Sequence, residues 1–292
     1  MGSPKVLLPT LMTLILGHLD VVKIFMENAE ALNIDLNSRD ADGWTAFNWA
    51  CTEAHLDIIQ ILIENAAVLS INLDANWDNG TGFHKLCSGG CSDLVKIIIK
   101  NALILGLDLL AKIQNGKTAF HLACINGHSE VINIFMENAP VLSIDLNAKD
   151  NHGMTAFHWA CQRGHANVVK ILVKNASTLR IDLNTKLHNK KTGFHLACES
   201  GHSDVVKILL VSASSLSLDL NSKTKYGNTG FHLACKFGYK NIVKQMLNQA
   251  DDLNLNLTSK NNNGETGFQR AKKYKRISVV NLIKELAPNI AF

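Results

Sequence analysis

Seven threonines set the register of this chain: Thr45, Thr81, Thr118, Thr155, Thr192, Thr229 and Thr266. Their successive spacings are 36, 37, 37, 37, 37 and 37 residues. A block travels with each of them. From Thr118 it reads Thr-Ala-Phe-His-Leu-Ala-Cys-Ile-Asn-Gly-His-Ser-Glu-Val-Ile-Asn-Ile-Phe, and from Thr192 Thr-Gly-Phe-His-Leu-Ala-Cys-Glu-Ser-Gly-His-Ser-Asp-Val-Val-Lys-Ile-Leu. A fixed period of this length marks a repeat architecture, in which each unit packs only against its neighbours. It overrides the length prior, by which 292 residues suggest about two compact domains.

Within a block the periodicity is helical. Residues 166–180 place Val168, Ile171, Leu172, Ala176 and Leu179 on one face. The stretch before them turns Phe157, Ala160 and Cys161 inward, and Gly164 ends that first helix where a positive φ is needed. Ile144-Asp145-Leu146-Asn147, followed by Asn151-His152-Gly153, reads as an extended segment and a tight turn. One helix pair of this size cannot bury its own apolar faces, whereas stacked pairs share a core. A composition of 47% hydrophobic and 18% charged residues supplies that core and excludes global disorder.

The block resembles the ankyrin repeat, whose pattern is Gly-x-Thr-Pro-Leu-His-x-Ala, then Gly-His and an apolar helix. The resemblance spans nearly the whole chain and departs from the pattern in two ways. The Pro is replaced by Ala46, Gly82, Ala119, Ala156, Gly193, Gly230 and Gly267, and the Leu by Phe. The period also exceeds the family's usual ~33 residues. The extra residues follow the second helix, in Asn-Ala-x-x-Leu-x-Ile-Asp-Leu-Asn at 138–147. About four residues make one helical turn, so a lengthened second helix is expected. The implied fold is an all-α ankyrin-repeat solenoid of about eight helix-turn-helix units with β-hairpin-like connecting loops.

The expected organisation is a single solenoid over residues 1–292. Residues 1–40 form a degenerate N-terminal unit, 41–265 six full repeats, and 266–292 a C-terminal capping unit. The apolar run at 6–16 has the look of a secretory core, but the Gly17-His18-Leu19-Asp20 that follows is repeat sequence. Residues 8–16 are read as the first helix of the degenerate unit. The polar helix at 269–276 suits a terminal cap.

No catalytic residue, metal site, cofactor or small-molecule substrate is expected. His84, His121, His158, His195 and His232 each lie three residues after a Thr. The family resemblance implies that this His bonds back to the Thr and closes the turn. No Ser, Cys or acid recurs beside them as a catalytic partner. Cys51, Cys87, Cys124, Cys161, Cys198 and Cys235 share one register. Packed helices lie roughly 8–10 Å apart, beyond the roughly 7 Å a disulfide spans, so these read as small buried apolar residues. Cys91 stands where the other repeats have the His of Gly-His. The set His84, Cys87, Cys91 lacks the fourth ligand a zinc site needs.

What the repeat leaves variable is its partner-selecting surface. In ankyrin proteins the hairpin tips and the exposed start and end of the first helix line a concave face. By register these are the fourth, third and first residues before each Thr, and the seventh and eighth after it. The residues so picked are Asp42, Trp44, Glu53, Trp77, Asp78, Lys117, Met154, Gln162, Arg163, Lys191, Lys225, Tyr226, Lys236 and Phe237. Trp44, Trp77, Tyr226 and Phe237 stand out because exposed aromatics dominate interfaces. Trp44 and Trp77, near Asp42, Glu53 and Asp78, suit a basic segment. The pair is loosely similar, in residue type only, to the aromatic cages with which some ankyrin domains read methylated lysine. The alternative is that both tryptophans pack onto the next hairpin. Trp49 and Trp159 replace a Leu and are expected in the core.

Charge is unevenly spread. Residues 1–146 carry 16 Asp+Glu against 8 Lys+Arg, a net of −8; residues 147–292 carry 9 against 21, a net of +12. Arg270, Lys272, Lys273, Lys275 and Arg276 read either as a solvated cap helix or as a site for an acidic partner. The expected function is a non-catalytic module presenting a concave groove to a protein partner. The alternatives are a binder of nucleic acid or anionic lipid through the basic half, or an interaction fragment of a larger scaffold or effector. Protein partners are favoured over nucleic acid or membrane, no homo-oligomer is required, and the expected compartment is cytoplasmic or nuclear.

Overall fold

The computed structural model describes residues 17–75 and 80–291. The chain divides into two compact units, Met1–Asp145 and Leu146–Phe292. In the first lie α1 (Leu19–Glu27), α2 (Ala46–Thr52), α3 (Leu56–Glu64), α4 (Gly82–Gly89), α5 (Ser92–Leu105), α6 (Ala119–Asn126) and α7 (Ser129–Leu142). In the second lie α8 (Ala156–Arg163), α9 (Ala166–Leu179), α10 (Gly193–Ser200), α11 (Ser203–Ser212), α12 (Gly230–Phe237), α13 (Lys240–Asn248), α14 (Gly267–Lys273), α15 (Ile277–Leu286) and a 3-10 turn at Pro288–Ile290. Within each unit the short first helices stack in one layer and the second helices in another. Each unit is therefore an all-α solenoid of helix pairs. The expected helix at 8–16 lies outside the described residues.

Each first helix begins at its Thr, which sits in extended conformation and closes a capping box with the residue three positions on. The helices are kept short by a left-handed C-cap: Gly90, Gly127, Gly164, Gly201 and Gly238 have φ of 76–85°. These glycines also admit a side chain from the next repeat. A Cβ on Gly164 would sit 2.4 Å from His202, and one on Gly90 2.4 Å from His128. The His202 ring donates through Nε2 to the Gln162 carbonyl at 2.8 Å, and His128 does the same to Ser88. Arg276 replaces this His in the last unit and donates to Lys236 at 2.9 Å. The same geometry accounts for Cys91. In the repeat before it the glycine is Ala54, held at φ 56°. Its Cβ claims the space an imidazole would need, and a small residue follows.

The departures from the family pattern are coupled in the same way. A Cβ on Gly193 would approach Phe157 to 2.5 Å, on Gly230 Phe194 to 2.6 Å, and on Gly267 Phe231 to 2.5 Å. At these three positions the Phe leaves room only for glycine in the next repeat, whereas Ala119 and Ala156 follow Phe83 and Phe120.

The extra residues lengthen the second helix in part of the chain. α5, α7 and α9 run for 14 residues, as expected. After α1, α3, α11 and α13, of 9 or 10 residues, the corresponding stretch forms consecutive turns instead. All of them end alike. A residue at positive φ, such as Ser70, Ser143, Arg180, Ser217 or Asn254, reverses the chain. The next N–H then returns to the carbonyl of Ala66, Ala139, Ala176, Ala213 or Ala250. The repeated Asn of Leu-Asn links one repeat to the next. Asn147 donates to the Arg180 carbonyl at 2.8 Å and accepts from the Asp182 N–H at 2.8 Å. Asn184 does so with Ser217 and Asp219, Asn221 with Asn254 and Asn256, and Asn37 with Ser70 and Asn72.

The connecting loops close as short hairpin turns. The N–H of Asp40 donates to the Trp44 carbonyl, Asp150 to Met154, Leu187 to Lys191, Thr224 to Asn228 and Asn261 to Glu265. One tip residue must take positive φ. It is Gly43, Gly116, Gly153, Gly227 or Gly264 in five tips and Lys190, at φ 59°, in a sixth. An L side chain there costs about 1–2 kcal/mol, and glycine's greater unfolded-state freedom returns part of that. Lys190→Gly is therefore expected to stabilise the protein by about 1 kcal/mol in urea titration, with an unchanged slope.

Candidate partner-binding surface

All five recurrent histidines bond back to their Thr through Nδ1, and four of them also hold a following loop through Nε2. Nδ1 of His158 accepts from the Thr155 N–H at 3.2 Å and from its hydroxyl at 2.9 Å, while Nε2 donates to the Thr185 carbonyl at 3.0 Å. A carbonyl only accepts, which assigns the proton to Nε2. His195 reaches Ser222, His232 reaches Glu265 and His84 reaches Ala111 in the same way. The ring thus closes its own turn and holds the following hairpin. Burial drives the pKa of His158, His195 and His232 down to about 4, and lowers that of His84. Asn48 and Gln269 occupy this register in the two repeats without His, a substitution the Thr spacing could have revealed. Asn48 accepts from the Thr45 N–H at 3.0 Å and donates to the Ala75 carbonyl at 3.1 Å.

All seven cysteines are free thiols. Burial raises the pKa of Cys51, Cys87, Cys124, Cys198 and Cys235, which suits an apolar role rather than a nucleophilic one. Among the described residues no three His, Cys, Asp or Glu are grouped to hold a metal ion, and no helix is long and apolar enough to cross a membrane.

The register positions chosen for partner contact divide by column. Among the described residues, the third and fourth positions before the Thr lie at exposed tips, with Asn189 half-buried; they include Asp42, Lys225 and Tyr226, which is 67% exposed. The residue just before the Thr is different. Met154 and Lys117 are buried, and Trp44 and Lys191 half-buried. This corrects the expectation for Met154 and Lys117. The hairpin bond that captures the carbonyl of each turns the side chain back toward the first helices. Trp44 lies 4.5 Å from the Trp49 ring, with the Lys85 ammonium 5.3 Å from its own ring. Trp77 and Asp78 lie outside the described residues. Trp49 and Trp159 are half-buried rather than in the core. Each indole N–H donates to an aspartate that also organises the hairpin, Asp40 at 2.7 Å and Asp150 at 2.9 Å. The burial of a tryptophan here thus depends on an Asp nine residues earlier.

At the ends of the first helices Glu53 and Arg163 are exposed. Gln162 is half-buried, and Lys191 pairs with Glu199 at 2.5 Å. The richest cluster lies in the second unit. Phe237 stacks on Tyr239 at 6.1 Å, and the Lys236 ammonium sits 4.8 Å from Phe237 and 5.5 Å from Tyr274. Tyr239 and Tyr274 were not among the residues expected here, although Tyr274 falls eight residues after Thr266, the register of Phe237. The basic cluster at 270–276 is not a uniform solvated row. Arg270 is buried and bonds to Asn228, its guanidinium 5.6 Å from Tyr274. Arg276 is held on Lys236, while Lys272, Lys273 and Lys275 are exposed.

Stacked helix pairs joined by short hairpin turns define the class: a helical-repeat solenoid. A family model described as ankyrin repeats (3 copies) matches residues 9–76, 83–186, 140–223, 176–258 and 194–291. The chain belongs to the ankyrin-repeat family, whose members are generally protein–protein interaction modules. No curated protein matches it.

Proposed function

We propose that this chain is a non-catalytic module that binds a protein partner, with the main contact on the second unit. The observation that carries this reading is the patch of Lys236, Phe237, Tyr239 and Tyr274, with exposed Tyr226 and Lys225 on the hairpin of the same repeat. Rigid aromatics with a cation among them are typical anchors, since they bury large area at low entropy cost. The unit's net charge favours an acidic segment of the partner. The same patch could stack nucleic-acid bases, and salt separates the two readings. Phosphate binding falls steeply with salt, with a slope that counts contacts, whereas a buried aromatic interface changes far less.

The test is a Tyr226→Ala, Phe237→Ala double variant. After partner capture from a matched lysate and identification by mass spectrometry, the variant is expected to bind about 10–100-fold more weakly by calorimetry, with its melting temperature within a few degrees of the parent. Unchanged affinity would remove the patch from the binding surface.

A further inference from the structure

A second surface lies on the outer helices of the second unit, in the groove between α9 and α11. Its volume is about 540 Å³, and Lys170, Val173, Lys174, Lys207, Ile208 and Val211 line it. Val211 is 70% exposed. The other repeats carry a polar or charged residue at this register: Glu64, Lys100, Glu137, Lys174 and Asn248. A large aliphatic residue so exposed gains nothing from its own fold, because the burial that would stabilise it is missing.

The rim supplies the charge. Lys170 and Lys174 are one helical turn apart on α9, hence on one side of it, and Lys207 is one turn before Val211 on α11. Asp204 is the single carboxylate on the lining. Among the described residues none of these three lysines has an ion-pair partner. Three unspent ammonium groups around an apolar floor, set between two packed helices, fit a third helix with apolar residues on one face and carboxylates on its flanks. A membrane surface would call for a broad apolar face rather than one inter-helix furrow.

We propose that the α9–α11 groove docks an acidic amphipathic helix of a protein partner, at a site separate from the aromatic patch. The apolar face would cover Val211 and Ile208 above Val173, and its glutamates would meet Lys170, Lys174 and Lys207.

The probe is a fluorescent synthetic helical peptide with leucines at i, i+3, i+4 and i+7 flanked by glutamates. Its scrambled isomer is the control. The full chain is expected to bind the helix at least tenfold more tightly than the scramble by anisotropy. Val211→Glu should weaken it about tenfold or more, as should Lys170→Glu with Lys174→Glu. The charge-reversed protein should then prefer a peptide with lysine in place of glutamate. These positions are on the surface, so circular dichroism should show unaltered folding, and Tyr226→Ala with Phe237→Ala should leave peptide affinity unchanged. Equal binding of helix and scramble, or no effect of Val211→Glu, would overturn the proposal. So would capture by vesicles of phosphatidylcholine and phosphatidylserine without any capture of the peptide.

Discussion

The second unit is expected to unfold in mild acid, between pH 6.5 and 4. Three of its buried histidines, His158, His195 and His232, have folded pKa values near 4 against 6.5 for a free imidazole. Burial is the main cause in each, and each ring sits in a site that uses the neutral form. Nδ1 must accept from Thr, so it cannot carry a proton. The sign follows from linkage. Between the two pKa values the unfolded chain binds a proton that the folded chain refuses, so stability rises with pH there. It is complete above about 6.5, falls as the pH drops below that value, and is fully lost by about 4. One such shift is worth on the order of 3 kcal/mol, and three of them rival the 5–15 kcal/mol that stabilises a typical domain. The net charge of +12 on the second half adds self-repulsion as these groups protonate. Circular dichroism against pH should show a cooperative transition near pH 5, with uptake of about three protons by the second unit. Stability unchanged between pH 7 and 5 would mean that these imidazoles are not held neutral.

The frame of the molecule was legible because it repeats. A threonine recurring every 36 or 37 residues locates seven capped helices, and a His at fixed offset locates the bond that closes five of their turns. What was hidden depends on contacts between repeats. Met154 and Lys117 look exposed by register, yet the backbone of the hairpin turns them inward. Trp49 and Trp159 look like core leucines, yet an aspartate nine positions back holds each indole at the surface boundary. Arg270 reads as one charge in a basic run, but it stands at the register of those tryptophans and reaches the previous repeat's Asn228. In each case the deciding partner lies in another turn or another repeat, where single-column reading does not look.

Replacing one recurrent histidine should separate its structural role from its titration. His158→Ala removes a buried ring and strands three polar groups: the Thr155 N–H, the Thr155 hydroxyl and the Thr185 carbonyl. An unmet buried donor or acceptor costs about 1–3 kcal/mol, and the cavity adds to it, so a loss of roughly 3–5 kcal/mol at pH 7 is expected. His158→Asn should recover much of this, because the chain already uses that solution. Asn48 accepts from the Thr45 N–H and hydroxyl at 3.0 and 2.9 Å, and donates to a carbonyl 27 residues on, the same offset as His158 to Thr185. An amide does not titrate, so the Asn variant should also lose less stability than the parent on going from pH 7 to pH 5. Urea titrations of the three proteins at both pH values are the measurement. The expected order at pH 7 is parent, Asn, Ala, with the gap between parent and Asn narrowing at pH 5. An Asn variant no more stable than Ala would mean that the ring's volume, rather than its two hydrogen-bonding nitrogens, is what holds the repeat to its neighbour.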